Sequence, residues 1–161
     1  GASCTVYGGA GDDTIESGGS GNDVFFGGTG DDIINAATGD NLIYNGPGND
    51  TVTAEWGSDT LWGGPGDDYL DVYDGDGLDL INMVNGNGQD TIYGFDFDVD
   101  RLDVSDFGFD STEAFFANAV ERADGVLVVL SEDDAVLFDD PYTVNELVLE
   151  DLTENTSWLI L

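Results

Sequence analysis

Apolar residues recur through the first part of the chain at intervals of nine to eleven residues. Each is the middle residue of a three-residue segment that follows a glycine- and aspartate-rich stretch, as in TIE, VFF and IIN. Because side chains alternate along a strand, the middle residue of such a segment points to one face. The pattern predicts short strands joined by turns, with these residues stacked as an internal ladder: Ile15, Phe25, Ile34, Ile43, Val52, Leu61, Leu70, Ile81 and Ile92.

An aspartate, or in one unit an asparagine, stands two residues before each of these apolar residues, and a glycine stands two residues before that. Aligned on these columns, the chain from residue 8 to 93 is a tandem nonapeptide repeat with glycine fourth, aspartate sixth and an apolar residue eighth. Acidic composition alone does not keep three columns in phase. The sixth-position residues are Asp13, Asp23, Asp32, Asn41, Asp50, Asp59, Asp68, Asp79 and Asp90.

Two nonapeptides are expected to make one coil, so that like positions stack every 18 residues. This gives a first column, Asp13, Asp32, Asp50, Asp68 and Asp90, and a second column, Asp23, Asn41, Asp59 and Asp79. Carboxylates stacked at the strand spacing of ~4.8 Å repel by roughly 0.8 kcal/mol per pair in water and by more in a lower dielectric. A hard divalent cation between coils reverses that repulsion, and calcium accepts carbonyls together with carboxylates. The chain has no Cys/His set for zinc.

The repeat resembles the RTX (repeats-in-toxin) calcium-binding nonapeptide G-G-x-G-x-D-x-U-x. The resemblance implies an all-β fold, a right-handed parallel β-roll over residues 8–93, with calcium ions bound by its turns. We expect five to eight ions. The candidate ligands are the turn glycines, several third-position residues and the sixth-position residues: Gly8, Ala10, Gly11, Asp13, Gly18, Ser20, Gly21, Asp23, Gly27, Thr29, Gly30, Asp32, Asn41, Gly46, Gly48, Asp50, Asp59, Gly63, Gly64, Pro65, Gly66, Asp68, Gly75, Gly77, Asp79, Gly86, Gly88 and Asp90.

The two columns are unequal. The first keeps every aspartate and nearly every glycine, which predicts full calcium occupancy between Asp13 and Asp68. The second contains the two units that depart furthest from the pattern, AATGDN and AEWGSD. Around Asn41 two alternatives stay open: sites that are weak or missing, or a site in which the amide oxygen is a ligand.

The period breaks after Asp90, and residues 94–161 are expected to form a β-rich cap with one or two short helices. At the other end of the chain, residues 1–7 are expected to be a disordered lead. Asp96, Asp98 and Asp100 are a candidate calcium site, with solvated turn residues as the alternative. Residues 111–123 have a helical spacing of apolar residues, with Ser111 or Thr112 as N-cap. Residues 125–140 are typical of a β-hairpin with its turn at residues 132–134. A short helix or turn is expected to follow.

The last residues, 158–161, resemble the C-terminal signal of RTX proteins exported by type I secretion; a last strand of the cap is the alternative. The resemblance implies a Gram-negative source, a secreted, extracellular or cell-surface location, and the type I secretion machinery as a partner. The start lacks the basic end and apolar stretch of a signal peptide. We read Cys4, the lone cysteine, as a tail residue.

Composition excludes several classes of function. The chain has 35 acidic and 2 basic residues, no histidine and a net charge of −33. Nucleic acid binding needs lysine and arginine at the phosphates, and histidine-dependent catalytic sites are ruled out. No apolar stretch is long enough to insert in a membrane. We therefore predict no enzyme and no catalytic residues, and we expect a monomer.

The predicted function is a calcium-binding module that folds on binding extracellular calcium and supports secretion, folding and stability of a larger exported protein. One alternative is a surface, glycan or ice-binding module of an adhesin, since Trp56 and Trp62 could stack on a neutral sugar. Another is a non-catalytic substrate-binding module of a polysaccharide-modifying enzyme. A halophilic protein without specific ions is a further reading, and the phase of the repeat argues against it.

Overall fold

The computed structural model describes residues 1–72, 77–122, 124–139 and 156–161. Within these ranges the chain is almost entirely β, with a 3-10 turn at Ser105–Phe107 and a single short α-helix, α1, at Thr112–Phe116. The strands are β1 Thr5–Ala10, β2 Thr14–Glu16, β3 Val24–Thr29, β4 Ile33–Asn35, β5 Leu42–Tyr44, β6 Thr51–Thr53, β7 Thr60–Trp62, β8 Tyr69–Asp71, β9 Leu80–Asn82, β10 Gln89–Tyr93, β11 Arg101–Asp103, β12 Ala119–Arg122, β13 Gly125–Val129, β14 Ala135–Asp139 and β15 Leu159–Ile160.

The strands alternate between two sheets, which confirms the predicted parallel β-roll. One sheet has the order β1-β3-β5-β7-β9-β11-β15, and the other has β12-β13-β14-β10-β8-β6-β4-β2. Neighbouring roll strands are parallel, and Ile33 pairs with Thr14 on one side and Thr51 on the other. One coil is therefore two nonapeptides long.

The predicted internal ladder is the core of the roll. Eighth-position residues from both sheets are almost completely buried between them, with exposed fractions of 0% for Phe25, Ile43 and Val52 and 1% for Ile34. Their flanking residues point outward, as the period of two along a strand requires. The short strands thus derive their stability from stacking on neighbouring coils rather than from their own length.

The roll extends past both predicted ends. Strand β1 begins at Thr5, inside the segment expected to be a disordered lead, and pairs with β3. At the other end, β11 pairs in parallel with β9, so that Leu102 continues the ladder of Ile81. Division of the chain into separate domains stays a prediction.

The cap contains the predicted helix only in part. Helix α1 begins after Ser111, whose hydroxyl accepts a hydrogen bond from the Ala114 N–H at 3.2 Å. The prediction of helix to residue 123 is wrong, because Ala119–Arg122 form β12 and pair with β13. Tertiary pairing here overrides a helical spacing of apolar residues.

The predicted hairpin is confirmed, since β13 and β14 are antiparallel. Strand β14 also pairs in parallel with β10 and so extends the second sheet. Trp158 is fully buried and leads into β15. Its ring lies against five phenylalanines: Phe95, Phe97, Phe115, Phe116 and Phe138.

The interpretation of residues 141–155 as a helix or turn lies outside the described residues. Among the residues that are described, no helix has the length and apolar character needed to cross a membrane.

Candidate metal sites in the turns

The turns of each column lie along one edge of the roll. Turns 8–13, 27–32, 45–50, 63–68 and 85–90 lead from the first sheet to the second and end at the aspartates of the first column. The returning turns end at the sixth-position residues of the second column. Every sixth-position residue directly precedes a strand except Asp90, which lies within β10, so the strands fix where these side chains start.

A ladder of hydrogen bonds fixes one oxygen of each sixth-position side chain. In the first column the backbone N–H of Asp32 donates to Oδ1 of Asp50 at 2.7 Å, and that of Asp50 donates to Oδ1 of Asp68 at 2.9 Å. The same bond joins Asp13 to Asp32 and Asp68 to Asp90. The predicted stacking of like positions is confirmed, and each carboxylate is held in the same orientation.

The second carboxylate oxygen of four aspartates in the first column is buried and unsatisfied. Among the described residues, Oδ2 of Asp13, Asp32, Asp50 and Asp68 has no hydrogen-bond partner. A buried anionic oxygen without a partner costs several kcal/mol. These atoms therefore mark where a cation fits.

Glycine provides the space in front of these oxygens. A Cβ on Gly27 would lie 2.7 Å from Oδ2 of Asp32 and 2.6 Å from the carbonyl oxygen of Asn45 in the next coil. A Cβ on Gly63 would collide with Oδ2 of Asp68. Carboxylate and carbonyl oxygens from adjacent coils thus converge on the bare face of a glycine.

Left-handed glycines let the coils approach. Gly28 has φ +124°, and a Cβ there would collide with the carbonyl oxygen of Gly9. Carbonyls of the third position also join the coils: the Gly11 N–H donates to Thr29 O at 2.7 Å, and the Gly48 N–H donates to Pro65 O at 3.0 Å. Backbone hydrogen bonds therefore join the turns of adjacent coils.

The electrostatics of the first column are those of a site that needs positive charge. Burial, together with the neighbouring carboxylates, raises the pKa of Asp50 to about 6 and that of Asp68 to about 8. Burial likewise raises the pKa of Asp90 to about 7. Each raised pKa means that the folded chain disfavours the charged carboxylate. A bound cation would instead favour the charged carboxylate.

The ligand chemistry fits calcium. Within the described ranges, no three Asp, Glu, His or Cys side chains converge on one point. An ion held here would depend on one carboxylate from each coil and on backbone carbonyls. Calcium accepts such a mixed oxygen set, whereas magnesium requires a tighter octahedron.

The second column has the same ladder with different details. The backbone N–H groups of Asp23, Asn41 and Asp59 donate to the next sixth-position oxygen at 3.0, 2.7 and 2.8 Å. At its start, the Cys4 N–H donates to Oδ1 of Asp23 at 2.8 Å and lowers the pKa of that carboxyl. Cys4 thus lies in the ladder, and its side chain is exposed.

The three residues of the candidate cap site differ in burial and are linked by hydrogen bonds from backbone N–H groups. Asp100 is buried and continues the second column, because its Oδ1 accepts from the Asp79 N–H at 3.0 Å. Its Oδ2 accepts from the Asp96 N–H at 2.8 Å, and the Asp98 N–H donates to Oδ1 of Asp96 at 2.9 Å. Asp96 and Asp98 themselves are exposed. Calcium binding at this turn stays a prediction.

The remaining candidate ligands lie in the turns as follows. Third-position Ala10, Ser20, Thr29 and Pro65 are exposed at the edge of the roll. Gly18 has open space where a Cβ would stand, unlike Gly27 or Gly63. Gly75 lies outside the described residues. The other glycines of the turns that were predicted as ligands are Gly8, Gly21, Gly30, Gly46, Gly64, Gly66, Gly77, Gly86 and Gly88.

Two buried asparagines were missed by the sequence analysis. Asn45 is 1% exposed, and within the described part of the chain neither its Oδ1 nor its Nδ2 has a partner. It occupies the first position of its unit, where Gly27 and Gly63 stand in others. Asn87 donates from Nδ2 to Oδ2 of Asp90 at 3.2 Å. The sequence does contain a signal for Asn45, because this polar residue stands at a position that is glycine in several other units.

Comparisons with known proteins agree with this geometry. The RTX calcium-binding nonapeptide repeat (4 copies) matches residues 5–19, 17–52 and 44–79. No curated protein matches the chain. The match begins at the first residue of β1 and includes the turns of both columns as far as Asp79. The repeats of this chain therefore belong to the family of RTX calcium-binding nonapeptide repeats.

Proposed function

We propose that this chain is a non-catalytic module that folds when calcium binds its turns, and that it supports secretion, folding and stability of a larger exported protein. The observation that carries the proposal is the row of buried, unpartnered Oδ2 atoms in the first column. Asp13, Asp32, Asp50 and Asp68, with adjoining turn carbonyls, would hold the ions.

The net charge of −33 opposes a compact state in the absence of cations. Short strands that depend on neighbouring coils also bear a large cost in conformational entropy. A site formed only in the folded chain couples its binding free energy to folding. At a calcium concentration 100 times the Kd, each site adds about 2.7 kcal/mol.

A calcium titration followed by far-UV circular dichroism tests this proposal. In excess chelator we expect a disordered spectrum, and calcium should produce a cooperative change to a β spectrum. Magnesium at the same concentration should not, because its coordination geometry is too strict. A complete β spectrum in chelator would refute coupled folding.

The proposed context is export to the extracellular medium or cell surface by type I secretion, as a monomer. Low intracellular calcium would leave the chain unfolded before export, and higher external calcium would fold it. The burial of Trp158 among five phenylalanines supports a structural role of the C-terminus in the folded cap. The same residues would be available as a signal while the chain is unfolded.

Deletion of residues 158–161 separates the two roles of the C-terminus. We expect the deletion to lower calcium-dependent stability in vitro and to reduce export in a type I secretion host. Export without any change would argue against the signal role, and unchanged stability would argue against the capping role.

A second candidate is binding of a neutral glycan by the outer face of the first sheet. Tyr7, Phe26, Tyr44 and Trp62 form an aromatic ladder with ring centroids 5.0, 5.2 and 4.5 Å apart and interplanar angles of 6 to 13°. The outward residues of β1, β3, β5 and β7 carry no charge, although the chain as a whole is strongly acidic. An uncharged aromatic strip favours a neutral ligand.

Affinity electrophoresis in gels containing neutral polysaccharides, with calcium present, tests this candidate. Retardation that is lost in Trp62→Ala and kept in Trp56→Ala would support it, since Trp56 is exposed and lies outside the aromatic ladder. Equal mobility with and without polysaccharide would argue against it.

A further inference from the structure

The turn over residues 36–41 places an amide where the turns of the first column place a second carboxylate oxygen. Oδ1 of Asn41 accepts from the Asp23 N–H at 3.0 Å, as the aspartates of the ladder do. Its Nδ2 donates to Ala36 O at 2.7 Å and to Gly39 O at 2.8 Å. We infer that the Asn41 side-chain amide takes the place of a calcium ion in this turn. The inference rests on the proposed function.

The hydrogen bonds fix the orientation of the amide. The Asp23 N–H is a donor and requires the oxygen, whereas Ala36 O and Gly39 O are acceptors and require the nitrogen. A reversed amide would replace three hydrogen bonds by three repulsive contacts. Because Asn41 is 3% exposed, water cannot compensate. An ion liganded by Asn41 would have to break this arrangement.

The first position of the turn has also lost the space for an ion. Ala36 is completely buried where the first column has glycine at Gly27. At Gly27 a Cβ would lie 2.7 Å from Oδ2 of Asp32 and 2.6 Å from Asn45 O. A methyl group at this position therefore fills the gap between carboxylate and carbonyl oxygens.

The second position shows that the turn keeps its shape without glycine. Ala37 has φ +27°, in the left-handed region that disfavours residues with a Cβ. Its N–H donates to Oδ1 of Asn35 at 3.1 Å. Three residues of the unit, Ala36, Ala37 and Asn41, thus differ together from the glycine and aspartate of the repeat. The result is a turn whose inward sixth-position side chain is a neutral amide, bonded to carbonyls of its own turn, within an acidic column.

Rebuilding the turn tests the inference by calcium stoichiometry, measured by equilibrium dialysis and isothermal titration calorimetry. We expect Ala36→Gly/Asn41→Asp to bind at least one more calcium than the wild type. Asn41→Ala should bind the same number as the wild type while unfolding at a lower urea concentration.

The matched control is Asn49→Asp, which adds the same charge in the exposed fifth position and should gain no ion. Asn49 Oδ1 accepts from the Asp67 N–H at 3.0 Å, a bond that aspartate keeps.

The inference is overturned if Asn41→Ala loses a calcium, or if the rebuilt turn binds no more than the wild type. Should the rebuilt variant fail to fold, anomalous diffraction from wild-type crystals decides. Calcium peaks in turns 27–32 and 45–50, with no peak in turn 36–41, would support the inference. A calcium peak in turn 36–41 would overturn the inference. A wild type that binds no calcium at all would instead contradict the proposed function, so the two failures are distinct.

Discussion

The two columns of turns share one backbone ladder, but the turn at Asn41 in the second column satisfies the other half of its sixth-position side chain differently from the turns at Asp32, Asp50 and Asp68 in the first. In the first column, Oδ2 of Asp32, Asp50 and Asp68 is buried without a partner among the described residues. In the second, Asn41 uses its corresponding atom to donate to two carbonyls of its own turn. The common oxygen joins neighbouring coils, and we propose that the second atom decides whether the turn requires a cation.

The first position of the unit differs between the columns in the space that it leaves. A Cβ on Gly27, in the first column, would lie 2.7 Å from Oδ2 of Asp32. A Cβ on Gly18, in the second, would have nothing within 4 Å. The fourth position is crowded in both columns, since a Cβ on Gly48 or on Gly57 would collide with a carbonyl oxygen of the preceding coil. The following experiments test the buried carboxylates and the crowded glycines.

The largest effect is expected from Asp68→Ala. The variant leaves the buried N–H of Asp50 without an acceptor, at a cost of about 1–3 kcal/mol. It also removes a ligand from a site worth about 2.7 kcal/mol at 100 times its Kd. We expect a loss of about 4 kcal/mol in the free energy of unfolding, measured with urea in saturating calcium.

The matched control for that variant is Asp67→Ala, which removes the adjacent and exposed carboxylate. Asp67 accepts from the Gln89 N–H at 2.9 Å, and water can replace that bond. Its cost should stay below about 1 kcal/mol. Equal losses in the two variants would show that charge, rather than the buried position, determines stability.

A smaller loss is expected from Gly28→Ala, about 3 kcal/mol. Alanine at φ +124° is strained and its methyl group meets Gly9 O. The control is Gly18→Ala, for which we expect a change within about 0.5 kcal/mol. Thermal unfolding in calcium measures both. A Gly18 variant as damaging as the Gly28 variant would show that neither the positive φ nor the contact with the preceding coil determines the cost.

The metal-free chain should respond to pH through the first column. Burial raises the pKa of Asp50 to about 6, of Asp90 to about 7 and of Asp68 to about 8. An acid whose pKa is higher in the folded state stabilises that state below its unfolded pKa of about 3.9. This contribution is lost as pH rises through the folded values.

We therefore expect acid to increase the ordered fraction of the metal-free chain, with the loss of order complete near pH 8. Circular dichroism from pH 4 to pH 9 in calcium-free buffer measures it. Asp68→Asn should move the end of the transition toward pH 7, because the group with the highest pKa is removed. Greater order at pH 8 than at pH 4 would contradict the prediction.

The smallest effect is expected from monovalent salt. The exposed fifth-position residues form their own ladder, in which the Asp31 N–H donates to Oδ1 of Asp12 at 3.0 Å. Salt at 1 M screens such exposed charges beyond about 3 Å, but it does not supply the coordination that a buried Oδ2 lacks. Sodium chloride at 1 M in chelator should leave the chain unfolded. Folding by salt alone would favour the halophilic reading.

The periodic part of the fold was predictable, because three columns in phase specify both strand position and coil length. The inward ladder and the two acidic columns were predicted residue by residue. The continuation through Asp100 and Leu102 was missed, because it follows Asp79 by 21 residues without the glycine pair. The aspartate and the apolar residue nevertheless keep their spacing of two. The start of β1 at Thr5 was missed because it comes before Gly8, the first glycine of the repeat.

The cap was less predictable, because its elements depend on contacts between distant parts of the chain. Residues 119–122 have helical spacing, yet they form a strand beside β13. The parallel pairing of β14 with β10 joins segments about 45 residues apart in sequence. The outcome at Asn41 was also undetermined, since only the carbonyls around Nδ2 distinguish an amide that replaces an ion from one that binds it.

The most direct test is the radius of gyration of the chain in excess chelator at neutral pH, measured by small-angle X-ray scattering. A compact chain of 161 residues has a radius near 15 Å, and an unfolded chain of that length has about 42 Å. We predict a value close to the unfolded one that falls toward the compact one when calcium is added. A chain that is equally compact with its metals stripped would contradict the view that buried carboxylates require calcium.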